Sequence, residues 1–489
     1  MSTTSAPPGR STGEVKPRLG WTLALLALAQ LIYALDLNIV FVALPQIGTG
    51  LGFPGQTQQL VVSAYVVFAG GFLLFGGRAA DLLGRRRVFV LALALYAVSS
   101  LAGGLATTPA VIIVARAVQG IGGALLLPST LALLNNLFAE GPQRNRALAV
   151  WGGAGASGLT IGALLGGLLT QNFGWPAVFF VNVPLAGLVA LAALAVIPRD
   201  PARGERRRFD VPGALSVTGG STLLVFALVE GPELGWGSLP VIAAFLLAVA
   251  LLVIFTLVEA RSADPLMPFR LFRNRSLTVG MLVTFIYMAT FGVLPYFLTV
   301  LLQSVHGYSA LQTGLAFLIP SLAIAFGTQG GERLATRIGT RTTLLIGFAI
   351  GVVGTAVLAL GFDAGAGYGL LVPGLIVSGL GQGIVWTAMW IAAATGTASH
   401  EQGVANGIAS TALNIGNAIG LAVFTVIADI GVEGKAGEAL RAATADGEFL
   451  VVLLTAAVMI AGILTTLTLP RLIRQIRATP QRDESHATG

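Results

Sequence analysis

Apolar residues along this chain gather in long runs separated by short polar breaks. The runs fall at about 21 to 47, 58 to 77, 88 to 106, 110 to 134, 147 to 170, 177 to 197, 211 to 230, 238 to 259, 276 to 302, 310 to 330, 342 to 361, 368 to 394, 404 to 428 and 448 to 469. At about 1.5 Å of rise per residue, a helical run of that length crosses a hydrocarbon core about 30 Å thick. Helix is the conformation lipid demands, because a backbone without water must satisfy its own N–H and C=O groups. The pattern predicts an all-α polytopic membrane protein with fourteen transmembrane helices.

The charges sit in the breaks. Of the 28 Arg and Lys, only Lys435 and Arg441 fall in one alternating set of loops, and Arg116 alone falls deep inside a run; the rest lie in the opposite set or in the tails. Basic residues are retained on the cytoplasmic side, so the asymmetry predicts an inner-membrane protein with both termini cytoplasmic. The same breaks suggest a division of the chain: a tail over 1–20, six spans over 21–197, a basic loop over 198–210 and two spans over 211–259. A linker over 260–275, six spans over 276–469 and a tail over 470–489 complete it. An internal echo supports a repeat. Asp81-Leu82-Leu83-Gly84-Arg85-Arg86-Arg87 follows the second span, and Thr336-Arg337-Ile338-Gly339-Thr340-Arg341 follows the tenth. Two six-helix halves with two inserted helices is the reading, and a site between repeated halves is the architecture of secondary transporters.

Composition narrows the chemistry. With 55% hydrophobic and 10% charged residues the chain is not a soluble globule. It has no cysteine, which excludes disulfides and thiolate chemistry, and His306, His400 and His486 are scattered over loops and tail, so neither a metal nor another cofactor is expected. The net charge of +7 lies at the membrane faces and implies lipid rather than nucleic acid. Lys435 sits in Gly434-Lys435-Ala436 and no Gly-Lys-Ser or Gly-Lys-Thr occurs, which removes a phosphate-binding loop and an ATP-driven pump. A membrane sensor without transport has no soluble domain to signal through. An enzyme is not expected. A monomer working with a small-molecule substrate and H+ is.

Asp36 breaks the first run and Arg116 the fourth. A charge in hydrocarbon costs several kcal/mol, which makes each a functional candidate. If the first run rises from the inner face at Trp21, Asp36 lies roughly 22 Å up; if the fourth descends from the outer face near Ala110, Arg116 lies roughly 21 Å up. The two depths agree, so the residues are read as partners, with Asp36 as proton carrier. Helical spacing puts Gln119, Gly120 and Gly123 on the face of Arg116, and Tyr33 on the face of Asp36. Gly158, Gly162, Gly166 and Gly167 form a small-residue face for close helix packing in the fifth span. The C-terminal half offers no deep acid, so its polar and aromatic faces are expected to bind substrate: Gln382, Trp386 and Trp390 in the twelfth span, Tyr287 and Tyr296 in the ninth, and Asn414 in the thirteenth.

Four stretches also carry a family resemblance. Gly77-Arg78-Ala79-Ala80-Asp81-Leu82-Leu83-Gly84-Arg85-Arg86-Arg87 resembles the signature loop of the major facilitator superfamily. Arg116-Ala117-Val118-Gln119-Gly120-Ile121-Gly122 resembles a motif of its drug:proton antiporters. Leu35-Asp36 with Val42-Ala43-Leu44-Pro45, together with Phe179-Phe180-Val181-Asn182-Val183-Pro184, is similar to the fourteen-span EmrB/QacA-type branch. The resemblance implies a major facilitator fold, proton-driven export of amphipathic cationic or neutral compounds without a cofactor, a coupling role for Arg116, and a conformational switch at Gly77, Asp81, Gly84, Arg85 and Arg86. A dedicated exporter of one antibiotic or siderophore fits the same motifs. Ala163 stands where the antiporter pattern has Pro, which removes the expected kink.

Overall fold

The computed structural model describes residues 19–53, 60–200, 210–262, 265, 267–398, 401–432 and 434–470. Nearly all of the two expected tails, residues 201–209 of the basic loop and His400 lie outside the described residues. The described chain is helical, without a strand. Its helices are α1 (Leu19–Leu51), α2 (Leu60–Leu83), α3 (Arg85–Gly104), α4 (Pro109–Leu137), α5 (Pro142–Phe173), α6 (Ala177–Val196, interrupted at Val181), α7 (Val211–Leu234) and α8 (Leu239–Arg261). Then follow α9 (Arg275–Val305), α10 (Leu311–Ile338), α11 (Thr340–Ala359), α12 (Tyr368–Ala394), α13 (Gln402–Ala428) and α14 (Gly437–Leu467). They match the fourteen apolar runs one for one.

Local chemistry sets many of the starts. Proline, which brings no N–H to be orphaned, stands in the first turn of α4, α5, α7 and α8. Side-chain oxygens of Thr108, Asp210 and Asn274 accept from first-turn amides of α4, α7 and α9, and Ser309 with Gln312 forms a reciprocal cap ahead of α10.

Packing reveals the repeat. In the first half α1 lies on α5, α4 on α2 and α3, and α3 on α6; in the second α9 lies on α13, α12 on α10 and α11, and α11 on α14. Each pairing in one half therefore has its counterpart eight helices later. The halves meet along α2–α13 and α5–α10, two contacts that the same correspondence exchanges. Inserted α7 packs on α2, α13 and α8, while α8 turns most of its apolar surface outward.

Small residues let α1 and α5 touch. A Cβ on Gly158 would come within 2.7 Å of the Ala34 Cβ, one on Gly162 within 2.5 Å of the Leu35 carbonyl oxygen, and one on Gly166 within 2.9 Å of the Ile39 oxygen. The three contacts flank Asp36 along α1. Gly167 departs from the expectation: one residue further on is about 100° further round the helix, and a Cβ there would meet nothing within 4 Å.

The expected switch loop is mostly helix. α2 continues through Gly77, Arg78 and Asp81 to Leu83, and the break is confined to Gly84, whose φ of 104° suits a residue without Cβ. The Asp81 carboxylate reaches across to the second half, accepting from the amides of Gly403 (3.1 Å) and Val404 (2.9 Å) at the start of α13, and stands 3.6 Å from Arg85. Gly77 makes the approach possible, since a Cβ there would collide with the Gly403 carbonyl. Asp200 plays the matching role on α3, accepting from the amides of Arg86 and Arg87, while the Arg86 guanidinium donates to the Leu194 carbonyl. Asn145 donates to Thr336 (3.1 Å) and Asn135 to Gln402 (3.3 Å) and Asn406 (3.4 Å). These hydrogen bonds between the halves lie near the face that carries the basic loops. The halves are clamped together there.

Two outcomes follow from this packing. Gly162→Ala is expected to lower stability by about 1–3 kcal/mol through forced helix separation, read as a lower thermal-unfolding midpoint in detergent, with Gly167→Ala neutral in the same assay. Asp81→Ala removes a carboxylate from a helix N-terminus, a contribution of about 1 kcal/mol and hence a roughly fivefold shift away from the clamped state. Because the chain lacks cysteine, disulfide yield in an Asn145→Cys, Thr336→Cys pair measures that shift directly.

Candidate functional site

Asp36 sits midway along α1 with no exposed surface, and Arg116, on α4, is 1% exposed. Arg116 Nη1 donates to Asp36 Oδ2 at 2.6 Å. The other carboxylate oxygen accepts from Gln119 Nε2 (2.9 Å) and from Asn182 Nδ2 on α6 (2.8 Å). A buried charge pair is tolerable only when its other donors and acceptors find partners, and here both carboxylate oxygens and two of the three guanidinium nitrogens do. Arg116 Nη1 also donates to Gln119 Oε1 (2.8 Å) and Nε to the Val61 carbonyl (3.0 Å), while Gln119 Nε2 reaches Ser100 Oγ at 3.0 Å. The guanidinium lies 4.3 Å from the centroid of the Tyr65 ring, and the Tyr65 and Tyr96 hydroxyls meet at 3.4 Å. The glycines of α4 create this space: Gly120 abuts the Tyr65 backbone, and a Cβ on Gly123 would fall 2.9 Å from the Tyr65 hydroxyl and 3.0 Å from the Tyr33 ring.

The arrangement has a chemical property. If Asp36 takes up a proton and releases Arg116, the guanidinium keeps two acceptors, Gln119 Oε1 and the Val61 oxygen. Neither state strands a cation without a partner. Asn182, Ser100, Tyr65 and Tyr96 were missed as site residues by sequence reasoning, although each is a polar interruption of an apolar run.

A second cluster lies where the halves meet. Trp151 of α5 stacks on Trp386 of α12 with centroids 5.9 Å apart and planes at 13°, and meets Trp390 edge-on at 5.8 Å. Trp386 and Trp390 are 5.9 Å apart, and Tyr287 of α9 lies 5.5 Å from Trp386. Gln382 and Trp386 are half-buried on one face of α12, whereas Trp151, Trp390 and Tyr287 are buried. Gly152 gives Trp386 its slot, since a Cβ there would come within 2.5 Å of the indole nitrogen. Trp151 was missed because it occurs alone at the start of a glycine-rich stretch, with no aromatic partner on its own helix.

Two expected residues stand apart. Tyr296 is 47% exposed, packs edge-on against Phe297 and is not in the cluster, because the turn at 291–293 rotates the outer part of α9 away from the face of Tyr287. Asn414 is half-buried and donates to the Ser410 carbonyl of its own helix. The second half also holds an acid that the run boundaries concealed: Glu448 is 2% exposed on α14, because the helix starts eleven residues earlier, at Gly437.

Comparison with known proteins follows the same lines. The family model described as Major Facilitator Superfamily matches residues 26–421. The puromycin resistance protein of Streptomyces alboniger is 37% identical over 414 residues, 84% of this chain and 82% of that protein. The cephamycin export protein CmcT of Amycolatopsis lactamdurans is 37% identical over 422 residues, 85% and 86% of the two chains. Among solved structures, the human organic anion transporter MFSD10 superposes with a TM-score of 0.67 at 19% identity, over 92% of this chain and all of the other. The chain belongs to the major facilitator superfamily, and is a transporter rather than an enzyme.

Proposed function

We propose that this protein is a proton-coupled antiporter that exports amphipathic antibiotic-like compounds, working as a monomer in the cytoplasmic membrane with its basic loops inside. The observation that carries the reading is Asp36: a carboxylate buried mid-helix, held by donors from two other helices and backed by glycine contacts that tie it to α5. A proton there breaks the pair with Arg116 and frees α1 to move against α4. The aromatic cluster between the halves supplies the substrate surface, and the Asp81 clamp governs which side is open. The proton gradient drives the cycle, with no cofactor.

Relatives favour export of antibiotics in particular. Besides the two above, a tetracenomycin C resistance and export protein of Streptomyces glaucescens is 34% identical over 83% of this chain. A single dedicated substrate is the second reading, favoured by those relatives named for one antibiotic; the multidrug resistance protein Stp of Mycobacterium tuberculosis, 34% identical over 82% of the chain, favours a broader range.

Growth of a sensitive bacterium expressing the chain, on a panel of antibiotics with and without a protonophore, tests the whole reading: protection that survives collapse of the gradient defeats it. Asp36→Asn keeps the shape but cannot exchange a proton, and is expected to abolish pH-gradient-driven efflux from proteoliposomes while the protein remains monodisperse. Arg116→Lys keeps the charge but has one nitrogen in place of a fork that now serves Asp36, Gln119 and Val61. Efflux in that variant is expected to fall about tenfold, against complete loss in Arg116→Ala, where a buried carboxylate without its cation costs about 3–5 kcal/mol.

A further inference from the structure

The aromatic cluster contains three hydrogen-bond donors with nothing to bond. The indole Nε1 atoms of Trp151, Trp386 and Trp390 are all buried, and none has an acceptor within reach. A buried donor left without an acceptor is destabilising, and three in one cluster, drawn from both halves of the molecule, mark a place built to receive acceptors. The ring faces are already engaged with one another, Trp151 stacked on Trp386 and Trp390 edge-on to both. What such a cluster offers a newcomer is edges, and the edge of an aromatic ring is its electropositive part. Among the described residues no carboxylate is hydrogen-bonded to these indoles. Among the described residues Asp36, the buried acid of the first half's site, has both oxygens occupied by Arg116, Gln119 and Asn182.

We propose that the indole N–H groups of Trp151, Trp386 and Trp390 are the recognition donors of the substrate site, which takes an uncharged, flat aromatic molecule bearing carbonyl oxygens in preference to an organic cation. The assignment rests on the reading of this cluster as the substrate surface. It deepens that reading by naming the chemistry. Because Trp151 belongs to α5 and the other two to α12, the donors are spread over both halves, and a ligand that bridges them senses how far the halves have parted. Gln382, half-buried beside Trp386 on the same face of α12, supplies a further donor and acceptor at the rim.

The test is a matched pair of probes, 9-fluorenone and fluorene, which share a flat skeleton and differ by one carbonyl. Each is measured by equilibrium dialysis against the purified full-length protein in detergent, with a detergent-only control. Fluorenone is expected to bind about tenfold more tightly than fluorene to the native chain. In the Trp151→Phe, Trp386→Phe, Trp390→Phe triple variant, which keeps aromatic rings but loses every N–H, the two are expected to bind alike within about twofold. The ratio is taken on one preparation and does not depend on how much of it is folded. Should the triple variant bind neither probe, the three single variants decide, each expected to reduce the ratio several-fold. Equal affinities for the two probes in the native chain, a ratio unchanged in all variants, or tighter binding of tetraphenylphosphonium than of fluorenone overturns the assignment. The assay uses neither a membrane nor a gradient, so a chain that binds fluorenone through these donors but does not export refutes the antiporter reading and leaves the recognition site standing.

Discussion

Everything in the first half is arranged around one ion pair that lipid would otherwise forbid. Asp36 and Arg116 persist in the membrane because three helices meet their charge: α4 gives a guanidinium and an amide, α6 gives a second amide, and α2 gives a backbone carbonyl and an aromatic face. That requirement explains the small residues nearby. Donors and acceptors within about 3 Å of each other need helix backbones in near contact, and Gly120, Gly123, Gly158, Gly162 and Gly166 are where the contact is made.

The same logic distinguishes the two kinds of surface between the halves. Near the basic face the interface is polar, directional and short-ranged, built from Asp81, Asn135 and Asn145 against the starts and ends of helices. Deeper in, it is aromatic, with large flat contacts that tolerate sliding. A transporter needs both: bonds that either hold or break, and a surface that accommodates different shapes.

The fold was legible in the sequence because membrane helices announce themselves by length and hydropathy alone, and each of the fourteen runs became one span, with interruptions at Val181, 291–293 and Phe317. Part of the site was legible for a similar reason. Asp36 and Arg116 are isolated charges whose depths follow from a fixed rise per residue, and Gln119 follows from helical spacing. What spacing cannot supply is which face of one helix meets which face of another. Asn182, Ser100, Tyr65 and Trp151 come from helices whose packing partners are set by tertiary arrangement, and Tyr296 was misplaced because a local turn broke the helical phase that the extrapolation assumed. The glycine face failed at its last member for a simpler cause: Gly167 is adjacent to Gly166 in sequence but a quarter-turn away in space.

The two edges along which the halves meet are related by the internal repeat, yet they are not chemically equal. The α2–α13 edge is held by the carboxylate of Asp81 set against the positive end of a helix, whereas the corresponding α5–α10 edge is held by the neutral pair Asn145 and Thr336. A door whose two sides are fastened with unequal strength does not lift straight off its frame. It parts first on the weaker side, so opening of this face is expected to begin at α5 and α10 and to reach α2 and α13, where inserted α7 packs against both helices, last.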